Sequence, residues 1–388
     1  MLPTRTFIIP PVLITGSGSS EKVGEESKKL GVKKALIVTD EVLSKLGILE
    51  GVKKALSEIK IEFAIYDKIS TEPTVDYVRE GLKAYKENGC DFLVALGGGS
   101  ALDTAKAISI MITNPGSIEE YKGLGKVTKE GVPLMAIPTT GGTGSEVTQF
   151  TIITDTKTSV KMLIGSPFIM PRVAIVDPLL TLSCPRSLSA AVGIDALTHA
   201  IEAYVSLKSQ PMSDIFCLSA IELISGNLRQ AWANGNNVEA REKTMLGALQ
   251  AGIAFSNASV ALVHGMSRPI GAYFHVPHGA SNAALLGVVT EFSLIGNPVR
   301  YAHIAKAMGE NISGLTDLEA AQLAAKSIKT LIKDIKIPSL KELGVEKEKL
   351  DQLAPKMAED AIASGSPGNN PRQATKEEIV ELYKIAYA

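Results

Sequence analysis

The 388-residue sequence has few cysteines, few histidines and no excess of charge of either sign. Cys90, Cys184 and Cys217 lie far apart, which argues against a disulfide framework and for a reducing compartment. The formal net charge of −1 favours neither nucleic acid nor an anionic membrane as a partner. Long apolar runs that could span a bilayer are also missing, and the N-terminal Phe7–Ile14 lacks a signal-peptide layout. We therefore expect a soluble, cytoplasmic protein.

The length and the spacing of apolar residues predict two domains. Five short apolar runs read as buried strands of a parallel sheet; they are 35–39, 62–66, 92–96, 134–137 and 173–176. After Pro185 helical patterns take over, for example at 211–230, 240–255 and 318–333, and Thr375–Glu378 is a capping box for the last helix. We predict a Rossmann-like α/β domain over residues 1–183 and an all-α domain over residues 184–388.

Two glycine-rich loops follow predicted strands. The first is Gly97-Gly98-Gly99-Ser100, where Ser100 and Asp103 give a helix-start signal, and the second runs from Pro138 to Glu146. Glycines and exposed N–H groups at such turns let a backbone approach a phosphate closely. A tight turn with an ordinary cap is the alternative for either loop. Two loops at equivalent strand ends favour a bound diphosphate instead.

Asp40 ends the first predicted strand. Its carboxylate could accept both ribose hydroxyls of an adenosine and repel a 2′-phosphate, which would favour NAD over NADP. The position is not that of the standard Rossmann acid, because Asp40 precedes the glycine loop. A helix N-cap is the alternative interpretation.

Histidines and one aspartate form a candidate metal site. Asp195 and His199 are four residues apart on a predicted helix, on a stripe that includes Leu188 and Val192. His264 and His278 are two more of only five histidines in the chain. Three imidazoles and a carboxylate suit a divalent transition metal, whereas each residue alone could be a hydrogen-bonded core group. His275 could compete with His278, Glu202 is either a supporting group or solvated, and His303 is expected at the surface.

Together these motifs resemble the iron-containing (group III) alcohol dehydrogenase family. The resemblance rests on Gly97–Lys106, Pro138–Glu146, Gly193–Glu202, His264–Ser267 with Pro277–Gly279, and Asn370–Arg372, and it spans nearly the whole chain. It implies the dehydroquinate synthase-like architecture, with a nucleotide-binding α/β domain, an all-α metal domain and a cleft between them. It also implies a homodimer in which the segment near Phe7–Ile14 joins the partner's sheet.

The resemblance assigns roles to individual residues. It implies that Asp195, His199, His264 and His278 are the metal ligands and that Phe255 lines the alcohol pocket. The NAD contacts that it implies are Asp40, Gly97, Gly98, Gly99, Ser100, Thr139, Thr140, Thr143, Ser145 and Lys161. Phe150, after the second loop, weakly favours simple primary alcohols as substrates.

One position departs from the family pattern. Many relatives have a second histidine four residues after the third ligand, where this chain has Arg268. We hypothesise that His275 takes over a catalytic proton relay. Proton release through ribose hydroxyls and water is the alternative.

The implied activity is NAD-dependent interconversion of a primary alcohol and its aldehyde, by hydride transfer from a metal-bound alkoxide. Iron is implied by the resemblance alone, since the same ligands bind Zn²⁺ at least as well. Diols, lactaldehyde or hydroxyacids stay open as substrates. A lyase of the dehydroquinate-synthase type would need a basic pocket, for which only Arg268 is evident. A non-catalytic nucleotide-binding protein would not need four candidate ligands.

Overall fold

The computed structural model describes residues 4–158 and 160–387. The chain forms two compact units: one is Ile8–Ser183, and the other combines the segment that ends at Phe7 with the residues from Cys184 onward. The first unit is α/β and the second is helical. In the part of the chain that is described, the strands are Val12–Thr15 (β1), Lys34–Asp40 (β2), Glu62–Ile69 (β3), Phe92–Gly97 (β4), Gly123–Leu124 (β5), Leu134–Pro138 (β6), Phe150–Asp155 (β7), Val160–Gly165 (β8) and Val173–Val176 (β9).

The main sheet has six strands in the order β1-β9-β6-β4-β2-β3, and its neighbouring strands pair in parallel. This confirms the predicted parallel sheet, including all five predicted strands. The central strand β4 is buried along its whole length. Its residues alternate between two apolar clusters, with Leu93 and Ala95 in one and Phe92, Val94 and Leu96 in the other. A continuous apolar run is therefore what a strand covered on both faces requires.

A second sheet of three strands, in the order β5-β8-β7, was not predicted. Its hairpin pairs β7 with β8 in antiparallel register, from Phe150 opposite Gly165 to Asp155 opposite Val160. Polar and charged residues interrupt both strands, so they lack the continuous apolar signal of the main sheet. The first residue of the hairpin, Phe150, lies five residues after Ser145 of the second glycine-rich loop.

The helices of the α/β unit are Val23–Leu30 (α1), Glu41–Lys45 (α2), Glu50–Glu58 (α3), Val75–Glu87 (α4) and Gly99–Thr113 (α5). Those of the helical unit are Arg186–Val205 (α6), Pro211–Ala233 (α7), Val238–Ala258 (α8), Leu262–Phe274 (α9), His278–Ser293 (α10), Pro298–Ala307 (α11), Asp317–Asp334 (α12), Lys347–Ala363 (α13) and Lys376–Tyr387 (α14). The helical patterns at 211–230, 240–255 and 318–333 all lie inside observed helices, so that prediction is confirmed.

Helix α10 and the junction between α8 and α9 both contribute to the core of the helical unit. Helix α10 with the turn after it, His278–Gly296, is long and apolar enough by composition to cross a membrane, contrary to the expectation from sequence, but 61% of it is buried inside the protein. Core helices pass the same test. Helices α8 and α9 meet at a bend of 101°, at Ser259, whose φ of 63° lies in the left-handed region. After this bend, His264 lies buried in the first turn of α9.

Candidate metal centre and nucleotide-binding loops

Three helices supply the candidate metal ligands. Asp195 and His199 lie one turn apart on α6, His264 lies in the first turn of α9, and His278 is the first residue of α10. Asp195, His199 and His264 are at most 5% exposed, while the His278 side chain is 35% exposed. The predicted apolar stripe was wrong at Leu188, which is 44% exposed, because α6 enters the core only after its first turn.

The ligand atoms converge. One ligand atom each from Asp195, His199 and His264 lie within 4.8 Å of one another. His264 Nε2 is 2.9 Å from His199 Nε2 and 3.8 Å from Asp195 Oδ1, and His278 Nε2 is 4.0 Å from the same oxygen. Four ligands at tetrahedral angles around Zn²⁺ or Fe²⁺, about 2.1 Å from the ion, lie about 3.4 Å from one another. The spacing fits a divalent metal.

The electrostatics of the cluster fit a metal as well. Burial lowers the pKa of His264 to about 4, although the Asp195 carboxylate opposes this shift. The imidazole is therefore neutral near pH 7, and only a neutral imidazole offers a lone pair to a metal.

Glu202 belongs to this centre as a supporting residue. It is 3% exposed, and its Oε2 accepts a hydrogen bond from His264 Nδ1 at 2.6 Å. Its other oxygen accepts from the backbone N–H of Val263, so one carboxylate of α6 caps α9 and orients the histidine ring. Carboxylate–histidine pairs of this kind fix the tautomer that leaves Nε2 free to bind a metal. Of the two interpretations left open by the sequence, solvation is excluded.

Asn282 was not predicted from the sequence as a residue of this site. It is fully buried one turn after His278, and its side-chain Nδ2 lies 2.6 Å from Asp195 Oδ1 and 3.1 Å from both His264 Nε2 and His278 Nε2. An asparagine directly before the apolar segment Ala283–Leu286, four residues after a candidate ligand, was the available signal.

The remaining predicted residues of the helical unit lie at different places. The Phe255 ring stacks on His199, with centroids 4.2 Å apart and planes 18° apart, so it adjoins the candidate ligands. Arg268 donates to Ser366 Oγ at 2.8 Å. His275 ends α9 with an exposed side chain and a φ of 57°. His303 is exposed, as expected, and bonds Tyr204.

The two glycine-rich loops adjoin each other in the α/β unit. They follow the neighbouring strands β4 and β6, and Thr139 N–H donates to Gly97 O at 3.0 Å. A Cβ on Gly99 would come within 2.9 Å of the Thr143 side chain, which explains the glycine there. Gly144 has a φ of 60°, which favours glycine at the turn of the second loop.

Hydrogen bonds tie the second loop to α5. Ser145 Oγ donates to Asp103 Oδ1 at 2.6 Å, and Asp103 also accepts from the Ile152 N–H. The predicted helix start at Ser100 was wrong by two residues: α5 begins at Gly99, and Gly98 is its N-cap. Asp103 joins two segments instead of completing a cap.

Asp40 is the N-cap of α2, which was one of the two alternatives that the sequence left open. Its Oδ1 accepts from the Leu43 N–H at 2.9 Å, as the N-cap of α2. Its Oδ2 would lie 3.9 Å from a Cβ built on Gly97, so the second oxygen faces the first glycine loop. The cap interpretation is confirmed, and it leaves one carboxylate oxygen beside the loop.

The other two predicted contacts lie on the hairpin. Lys161 on β8 forms an ion pair of 2.5 Å with Glu72. Phe150 begins β7, and its backbone carbonyl accepts from the fully buried Lys106 at 2.9 Å.

Comparison with known proteins gives a consistent result over both units. The model of the iron-containing alcohol dehydrogenase family matches residues 10–178, and its C-terminal counterpart matches residues 189–387. The chain is 42% identical over 381 residues to the NAD-dependent methanol dehydrogenase of Bacillus methanolicus, covering 98% of this chain and 99% of that one. It is also 42% identical over 384 residues to the 1,3-propanediol dehydrogenase of Citrobacter freundii, with 98% of each chain covered.

Solved structures agree. A crystal structure of a 1,3-propanediol oxidoreductase superposes with a TM-score of 0.96 at 42% identity, covering 99% of this chain and all of the other. A likeness of this extent in sequence and in structure establishes common family membership. The chain belongs to the iron-containing alcohol dehydrogenase family and is therefore an oxidoreductase acting on alcohols or aldehydes.

Proposed function

We propose that this chain interconverts a primary alcohol and its aldehyde with NAD, using a divalent metal held by Asp195, His199, His264 and His278. The observation that carries the proposal is the buried cluster of Asp195, His199 and His264, with the partly exposed His278 placing its Nε2 4.0 Å from Asp195 Oδ1. A metal bound there would act as a Lewis acid that lowers the pKa of a substrate hydroxyl and polarises a carbonyl. Iron is the first candidate, from the family, and zinc the alternative.

NAD would bind at the two glycine-rich loops and accept a hydride from the alcohol carbon. Gly97, Gly98, Gly99 and Ser100 present backbone N–H groups at the start of α5, where the helix dipole favours a diphosphate. Thr139, Thr140, Thr143 and Ser145 lie on the second loop beside them, and Asp40 Oδ2 is positioned for ribose hydroxyls. Lys161 can contact the cofactor once it leaves Glu72.

The helical unit contributes groups that handle the alcohol. Phe255 covers the face of His199 and would line an apolar wall for a short carbon chain while excluding water. Glu202 keeps the ring of His264 oriented throughout the reaction. We also propose Phe150 as a substrate contact that favours simple primary alcohols over polyols.

The substrate class follows from these groups and from the relatives. Short primary alcohols and aldehydes are the first candidates, and a diol such as 1,3-propanediol is the second. Of two relatives that are each 42% identical to this chain, one is a methanol dehydrogenase and the other a 1,3-propanediol dehydrogenase. The deciding experiment is NADH formation by metal-free protein reloaded anaerobically with Fe²⁺ or Zn²⁺, across primary alcohols, diols and hydroxyacids. Metal-dependent turnover is expected on one class. Metal binding without NADH formation from any of them would contradict the proposal, as would normal turnover and metal content in Asp195→Ala.

His275 is our candidate for proton transfer to solvent, since its exposed ring ends the same helix that carries His264. His275→Asn tests this role and tolerates the left-handed backbone there. Turnover should fall and its pH profile should flatten, while the control His303→Asn, at another exposed histidine, should keep both. Unchanged kinetics in His275→Asn would instead favour release through ribose hydroxyls and water.

We further propose a cytoplasmic homodimer. Strand β1 lies at the edge of the main sheet, where unpaired backbone groups can receive a partner's strand, and Ile9 beside it is 42% exposed. Light scattering should give twice the chain mass of 41.0 kDa. A monomer mass would contradict this proposal.

A further inference from the structure

We propose that Asn282 is a positioning residue of the metal centre, which gathers three of the four candidate ligands before a metal arrives. The inference rests on the proposed ligand set, and it concerns a residue that touches no substrate or cofactor in that proposal. Asn282 lies on α10 one turn after His278 and has no exposed surface.

The contacts of its amide carry the argument. Nδ2 lies 2.6 Å from Asp195 Oδ1 and 3.1 Å from the Nε2 atoms of His264 and His278. All three are acceptors in the metal-free protein when the imidazoles are neutral and present Nε2 lone pairs. Converging acceptors repel one another in a buried site, and a neutral NH2 group offers two N–H donors without adding charge, one for Asp195 Oδ1 and one shared between the two imidazole nitrogens.

The other end of the amide points to the same conclusion. Within the described residues, Asn282 Oδ1 is buried without a hydrogen-bond partner. Turning the amide over would satisfy nothing, because it would set Oδ1 against the Asp195 carboxylate and two nitrogen lone pairs. A protein tolerates an unpartnered buried oxygen where a function keeps the group in place. In Asn282 it is the donating Nδ2 that contacts the candidate ligands.

A residue in this position should govern how well the centre takes up metal. Groups that orient metal ligands through hydrogen bonds usually change metal affinity by about 10–100-fold when they are removed. In this site the two Nε2 lone pairs would pass to the metal, whereas Asp195 Oδ1 has a further lone pair and could keep its hydrogen bond from Asn282. The contact with Asp195 is the most important, because it fixes the carboxylate oxygen that lies 3.8 Å from His264 Nε2 and 4.0 Å from His278 Nε2.

Two substitutions at Asn282 should change the Co²⁺-induced rise in melting temperature in opposite directions. Asn282→Leu keeps the volume and removes the donor, so Co²⁺ should bind about 10–100-fold more weakly and raise the melting temperature less than in the wild type. Asn282→Asp places a second carboxylate against Asp195, so the metal-free protein should melt earlier and Co²⁺ should raise its melting temperature more. Ser293→Ala, which removes the acceptor of a buried hydrogen bond from Asn370 at the far end of the same helix, is the matched control and should leave Co²⁺ affinity unchanged.

The experiment is Co²⁺ titration of the metal-free protein, followed by visible absorption and by thermal melting. A loss of affinity and a changed ligand-field spectrum in Asn282→Leu, together with the opposite thermal shift in Asn282→Asp, supports the inference. If both variants bind Co²⁺ like the wild type, Asn282 is only a packing residue and the inference fails while the proposed function stands. If the wild type itself binds no Co²⁺, the ligand set fails and the inference with it.

Discussion

At the scale of a residue, the two oxygens of the Asp40 carboxylate have different surroundings, and the proposed function gives the second oxygen a separate role. One oxygen caps α2, and the other faces the first glycine loop at Gly97. Removing the whole side chain would therefore confound loss of a helix cap with loss of ribose recognition. A substitution that keeps the cap and removes the charge separates the two effects.

We predict that Asp40→Asn relaxes the discrimination against NADP by about 10–100-fold in the ratio of kcat/KM values, because a 2′-phosphate no longer meets a carboxylate. Asparagine still accepts the Leu43 N–H, so the melting temperature should stay near that of the wild type. Steady-state kinetics with both cofactors measure the ratio. Asp40→Gly should relax the ratio too, with a lower melting temperature. An unchanged ratio in both variants would remove Asp40 from the cofactor site.

The ends of the helices set the positions of the candidate ligands. The junction between α8 and α9 shows this most clearly. Ser259 has φ 63° and ψ 167°, a backbone region that is almost restricted to glycine. Its Oγ accepts from Asn369, which also donates to the Val260 carbonyl. These two hydrogen bonds from Asn369 hold the bend of 101° that precedes His264.

The strain at this junction gives a prediction at the scale of an element. Ser259→Gly and Ser259→Ala both lose the hydroxyl, and only glycine relieves the backbone. We expect the glycine variant to have a free energy of unfolding about 1–2 kcal/mol above that of the alanine variant, the reverse of the usual order at helix positions. Urea denaturation of the two variants measures the difference. Equal stabilities would mean that the junction is not strained.

Helix α5 contributes Lys106 to a buried charge network, and this network makes the free energy of unfolding of the protein depend on pH. Burial raises the pKa of Glu146 to about 7, and the Lys106 ammonium opposes part of the shift. Between pH 4.5 and 7 the folded protein keeps the proton on Glu146 while the unfolded chain releases it. The free energy of unfolding therefore falls as the pH rises through this window, and it has lost the whole contribution above pH 7.

We predict that Glu146→Gln, which cannot ionise, removes this dependence. The stability of the wild type relative to the variant should fall by about 1–3 kcal/mol between pH 5 and pH 8. Glu87→Gln, at an exposed glutamate of α4, should keep the pH dependence of the wild type. Melting temperatures of the three proteins across this range measure the effect. Parallel curves for wild type and Glu146→Gln would show that Glu146 is ionised in both states.

For the molecule as a whole, the sequence predicted what local pattern encodes. The five strands of the main sheet and the long helices follow from apolar runs and periodicity, and the proposal of one aspartate and three histidines as metal ligands follows from their rarity and spacing. The hairpin β7–β8 was missed because its stability comes from pairing and from the contacts of Asp103, which no local pattern shows. The contacts of Asn282 and the cap made by Glu202 show the same limit, since each residue acts on another helix across the core and no local pattern specifies its partner.

The division of the candidate groups between the two units leads to the last prediction. All four candidate ligands lie in the helical unit, and both glycine-rich loops lie in the α/β unit. Removal of the metal by a chelator should therefore abolish turnover and lower the melting temperature, while NADH binding, measured by fluorescence titration, should change less than about threefold. Activity should return when Fe²⁺ or Zn²⁺ is added back. His264→Ala should behave like the chelated protein without responding to added metal. Loss of NADH binding on chelation would instead mean that the metal also orders the nucleotide site, and the two units would then not bind their cofactors independently.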